Sequence, residues 1–96
     1  YSGNLDFMDR DNSLLVDYRM VPLRNGDYPY WRNQQWAEPD VAHAARLMRM
    51  LHDDRDLARR LGANAAASIR RSHSRATCSA SLLARLREID RQHPVA

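Results

Sequence analysis

Three apolar residues, Leu14-Leu15-Val16, narrow the possible folds of this chain more than any other stretch. A continuous apolar run this short, preceded by the turn residues Arg10-Asp11-Asn12, fits a strand buried on both faces of a parallel sheet. Such a strand needs neighbours on its edges. The rest of the sequence supplies none. Residues 1–40 are rich in Gly, Asn, Asp, Pro and aromatics, and residues 41–92 are rich in Ala, Leu and Arg with helical periodicity. The expectation is therefore part of a larger α/β domain: turn, strand and aromatic loop over 1–40, then three helices over 41–92. Tyr1 in place of a Met, and a tight loop in the first residues, fit a segment whose upstream residues lie elsewhere.

Leu5 to Met8 reads as one helical turn with Leu5 and Met8 facing inward. Tyr18 to Val21 extends the strand, and Pro22 to Gln35 forms a loop. Asn25-Gly26 is a turn signal, but no convincing strand pair flanks it. Trp36-Ala37-Glu38-Pro39-Asp40 reads as the opening of the first helix, because Pro suits the first helical position and carboxylates favour the positive dipole end. Val41, Ala44, Ala45, Met48 and Leu51 follow as its apolar stripe. Asp53-Asp54 ends that helix and begins the next. The second helix carries Leu57, Leu61, Ala65 and Ile69. Gly62 within it costs up to about 1 kcal/mol against Ala, and marks either a close helix approach or a break. Ser72-His73-Ser74 supplies hydroxyl caps at the junction. The third helix runs from about Arg75 to Arg91 with Leu82, Leu83, Leu86 and Ile89 on one side, and His93-Pro94 stops it.

The 15 basic residues are all Arg, and against 12 acidic ones they leave a net charge of +3. The excess is small and interleaved with acid, which favours solvated surface over a nucleic-acid patch. Cys78 is the single cysteine, so no internal disulfide can form, and it reads as a small buried hydrophobe. No apolar run approaches the roughly 20 residues that span a membrane. His43, His52, His73 and His93 are scattered without metal-ligand spacing. Ser72, Ser74, Ser79 and Ser81 lack a nucleophile elbow. Asp53 and Asp54 read as helix caps, not as a carboxylate pair for glycoside chemistry.

Two segments carry chemical promise. Ser2-Gly3-Asn4-Leu5-Asp6 is a Gly-containing turn leading into a short helix, which exposes backbone N–H groups to phosphate oxygens. The Pro22–Trp36 loop gathers Tyr28, Tyr30, Trp31 and Trp36 beside polar residues. That suits stacking of a sugar or nucleotide, and equally suits Trp31 and Trp36 pinning the loop to the body.

Taken in order, Tyr1-Ser2-Gly3-Asn4-Leu5-Asp6-Phe7-Met8, Asn12-Ser13-Leu14-Leu15-Val16, Trp36-Ala37-Glu38-Pro39-Asp40 and the stretch from Asp54 to Ala65 resemble the C-terminal part of glycosyltransferase family 4 (group 1) proteins. The resemblance implies a partial Rossmann-like C-terminal domain of a GT-B fold, mostly helical over this length. It implies a retaining transfer from a nucleotide-sugar donor to a saccharide, lipid or other acceptor, without a bound metal or other cofactor. The family's Glu-x7-Glu motif is absent here, so no catalytic residue is assigned. Ser2, Gly3, Asn4 and Asp6 match the turn beside the donor site. There, amides from Ser2 to Asn4 would touch the donor and Asp6 would brace the loop. The loop at 22–36 departs from the usual family pattern. In many GT-B proteins the last helix crosses back onto the N-terminal domain. A cytoplasmic location follows by the same resemblance, with peripheral contact at the inner face of the membrane allowed and no nucleic-acid partner. The competing expectation is a small helical Arg-rich module that binds nucleic acid or protein.

Overall fold

A computed structural model describes residues 1–95. A 3-10 turn at Ser2–Asp6 is followed by strands β1 (Tyr18–Pro22) and β2 (Gln35–Pro39), then helices α1 (Val41–Asp53), α2 (Arg55–Ser72) and α3 (Arg75–Gln92). The architecture is mixed and mostly helical, with one two-stranded antiparallel sheet.

The strand expected at 14–16 is not one. Leu14 to Val16 runs outside any regular element, and no backbone group of these three residues is hydrogen-bonded among the described residues. The ladder lies farther on. Tyr18 pairs with Pro39, Met20 with Ala37 and Pro22 with Gln35, so residues 18–39 form a hairpin. The residues expected to open the first helix are therefore its second strand. Alternation explains the difference. Arg19 and Val21 share one face with Glu38 and Trp36, and Arg19 donates to Glu38 Oε2 at 3.2 and 3.3 Å across the ladder. Pro39 is tolerated because it ends an edge strand.

Helix α1 begins after Asp40, whose carboxylate accepts the His43 N–H at 2.8 Å. Asp54 closes α1 with its backbone N–H on the Met50 carbonyl. It also opens α2, its carboxylate accepting from the Leu57 N–H at 3.0 Å. Ser74 caps α3 by accepting from the Thr77 N–H at 3.1 Å. The expected caps at 53–54 and 72–74 thus form. Gly62 neither breaks α2 nor meets a partner, since an added Cβ would find nothing within 4 Å.

Packing is sparse. Leu23 is the sole buried hydrophobic side chain among the described residues. Helix α1 half-buries His43, Ala44, Leu47 and Leu51, while Val41 and Met48 of the expected stripe stay exposed. Leu57, Leu61 and Ala65 of α2 are half-buried and Ile69 is exposed. Along α3, Leu82, Leu83, Leu86 and Ile89 all face solvent, and Cys78 is exposed rather than buried. Leu5 is exposed too, with Met8 half-buried. The body measures 61 × 43 × 16 Å, with a radius of gyration of 19.5 Å. A compact domain of about 100 residues has a radius of gyration near 13 Å.

Candidate functional site

The N-terminal turn is held by side chains that the sequence did not single out. Asp9 and Asn12 clasp each other. The Asp9 carboxylate accepts from the backbone N–H groups of Asp11 (2.8 Å) and Asn12 (3.1 Å), and Asn12 Oδ1 accepts the Asp9 N–H at 2.9 Å. Asn12 Nδ2 reaches the Phe7 carbonyl at 3.1 Å, and the Ser13 hydroxyl donates to Asn12 Oδ1 at 2.8 Å. Asn12 is buried with both polar side-chain atoms partnered. Asp6, expected to brace this loop, is exposed, and its side chain makes no hydrogen bond among the described residues. Bracing falls to Asp9 and Asn12: the Asp9 carboxylate reaches forward over two and three residues, an Asx-turn geometry, while the Asn12 side chain reaches back over three and five.

Ser2 adopts φ +67°, while Gly3 keeps an ordinary negative φ. Left-handed backbone at this turn is thus carried by Ser2, not by the glycine. The 3-10 ladder leaves the N–H groups of Ser2 and Gly3 without an intrahelical partner. Asn4 is half-buried, and its carbonyl accepts from Phe7 (3.3 Å) and Met8 (3.0 Å). Asn4 also lines a broad hollow of about 610 Å³ with Tyr1, Leu5, Met8, Arg10 and the 14–18 stretch. The Tyr1 and Tyr18 rings meet at 5.1 Å across it. Of the four expected donor-side residues, only Asn4 faces this hollow; Ser2, Gly3 and Asp6 do not line it.

The hairpin root is fastened to α1. The Asp17 N–H donates to His43 Nδ1 at 3.0 Å, and the Asp40 N–H donates to the Asp17 carbonyl at 2.7 Å. Two other histidines make contacts: His73, at the end of α2, lies edge-on to Phe7 of the N-terminal segment at 6.1 Å, and His52 contacts the adjacent Asp53 at 2.9 Å.

The aromatic loop holds two successive turns. Asp27 N–H bonds the Arg24 carbonyl at 3.1 Å around Gly26, which sits at φ +96°. Gln34 N–H bonds the Trp31 carbonyl at 3.2 Å around Asn33 at φ +59°. The Leu23 N–H to Gln34 carbonyl bond, 3.0 Å, carries the ladder into the loop. Trp31 is half-buried with the Arg32 guanidinium 5.4 Å from its ring centre, and Trp36 is exposed on β2. Between the turns and β2 lies a hollow of about 360 Å³, floored by Leu23 and walled by Tyr28, Pro29, Tyr30, Gln34, Gln35 and Trp36.

No group of His, Cys, Asp or Glu placed to hold a metal ion occurs among the described residues, and no described helix is long and apolar enough to cross a membrane. Comparison with family models, with curated proteins and with solved structures returned no match to this chain.

Proposed function

We propose that the chain is the C-terminal part of the donor domain of a retaining GT-B glycosyltransferase of family 4 type. The observation that carries it is Leu14–Val16. The run is apolar, Leu14 and Leu15 are half-buried, and the backbone is left without hydrogen bonds. Backbone that pairs with nothing in this chain, beside two half-buried leucines, is open to a partner strand, and covering it without one would be costly. A Rossmann-like sheet supplies one, and ligands of such sheets bind beyond the carboxyl ends of the strands. The turn at Ser2–Asp6 would then lie at the donor side, with the N–H groups of Ser2 and Gly3 facing the diphosphate. The open leucine face of α3 fits a helix that packs on the missing N-terminal domain. The reaction would be sugar transfer from a nucleotide-sugar to an acceptor, with the catalytic glutamates upstream.

Two measurements test this. The codons upstream of Tyr1 should encode a Glu-x7-Glu pair within about one domain length, roughly 100 residues. The protein that includes them should transfer sugar from a nucleotide-sugar, and Gly3→Val in it should raise donor KM or lower kcat at unchanged Tm, because a side chain at Gly3 meets nothing within 4 Å in this chain. Unaltered donor kinetics, or an upstream sequence without the pair, would remove the proposal.

A further inference from the structure

We propose that the hollow at the closed end of the hairpin is a binding site for a neutral saccharide. Its volume, about 360 Å³, lies within the range of about 300–1,000 Å³ typical of small-molecule sites. Its walls pair aromatic rings with two primary amides. The amides of Gln34 and Gln35 each offer donors and an acceptor, the combination that vicinal hydroxyls require. The rings are presented rather than stored. Tyr30 is 92% exposed and Tyr28 is 63% exposed, far from the state of rings that fill a core. They leave apolar faces open to the C–H face of a sugar ring.

Backbone conformation points the same way. Tyr30 sits at φ +61°, an outlier for a bulky residue that costs on the order of 1–3 kcal/mol. The same loop uses Gly26 where its first turn needs positive φ. A tyrosine held at such a φ is explained by what its ring does. Charge sets the ligand class. No ionised side chain lines the hollow, and the Arg32 guanidinium lies over the Trp31 ring at 5.4 Å. A phosphate or carboxylate would find no counter-charge there, which disfavours nucleotides and acidic glycans.

Saccharide binding rests on the hollow alone. That the saccharide is the transferase's acceptor rests on the function proposed above. Tyr18 marks the hairpin root, where the N-terminal turn packs. Pro22 marks the other end, four strand steps or roughly 13 Å away at 3.3 Å per residue. The occupant is thus set apart from the donor-side turn.

The test is an NMR titration of the 96-residue chain with neutral tetrasaccharides (maltotetraose, cellotetraose, mannotetraose) and, separately, uridine. Cross-strand contacts between 18–22 and 35–39 report the hairpin in the same sample. The expected result is saturable shifts of the Gln34 and Gln35 side-chain amides and the Trp36 indole with at least one tetrasaccharide. Tyr30→Gly should weaken that binding about tenfold or more, while the cross-strand contacts persist because glycine accepts the φ. Gln34→Leu should weaken it similarly. The proposal is overturned by no shift at about 10 mM sugar, a Kd far weaker than the millimolar range. It is equally overturned by sugar binding that survives Tyr30→Gly, by uridine binding more tightly than every sugar, or by absence of the hairpin contacts. Failed binding alongside sugar transfer by the longer protein would remove the hollow only; binding without transfer would remove the enzyme only.

Discussion

At the scale of single residues, polar side chains do most of the fixing. Asn12 bonds two backbone partners from a buried position, so Asn12→Ala strands the Asp9 N–H and the Phe7 carbonyl and should cost about 1–3 kcal/mol. A lower urea midpoint would show it; an unchanged midpoint would mean the clasp is dispensable. Gly62 offers the opposite case. Nothing surrounds it, so Gly62→Ala should gain up to about 1 kcal/mol and raise helicity at 222 nm, and a loss would reveal an unseen close approach. Asp40, Asp54 and Ser74 were readable because a cap and its acceptor lie within three residues. Asn12 was not, because its value comes from a bond to Phe7 and from burial, neither of which leaves a local pattern. Cys78 was misplaced for a related reason: helical spacing says which side a residue takes, not whether anything covers that side.

Among elements, the second and third helices were legible almost to the residue, whereas the start of the first helix and the hairpin were not. Glu38-Pro39-Asp40 carries the local marks of a helix start, with Pro39 at the first helical position, but the helix begins two residues later at Val41 with Asp40 as its cap. The partner strands are separated by residues 23–34, so their pairing is a non-local fact. The cross-strand ion pair Arg19–Glu38 is largely exposed and adds little. Pairing rests instead on the ladder and the Tyr18, Met20, Val21 and Trp36 side chains. Hydrogen exchange should separate the two stretches. Amides of 18–22 with ladder partners should be protected, whereas those of Leu14, Leu15 and Val16 should exchange freely in the 96-residue chain and become protected in the longer protein. Protection of 14–16 in the short chain would show that it finds a partner unaided.

The whole molecule was the least legible. Composition at 44% hydrophobic gives no warning that Leu82, Leu83, Leu86 and Ile89 lack cover, since amphipathicity records a need for burial and not its satisfaction. The isolated chain should therefore bind ANS and melt broadly, without a single sharp transition by calorimetry. A cooperative melt at high temperature would mean that the open faces are satisfied in solution.

The 16 Å dimension has a consequence for how this protein tolerates change. A helix with its side chains is about 10–12 Å across, so the chain is scarcely more than one layer deep. A layer has two sides and no interior, and the ordinary hierarchy of mutational tolerance turns over. Trimming Leu82, Leu83 or Leu86 opens no cavity here, whereas removing one oxygen from Asp9, Asn12 or Asp54 unfastens a joint. A saturation scan scored on folding of this chain should show its deepest troughs at hydrophilic letters, with leucines becoming sensitive only once a second layer is laid against them.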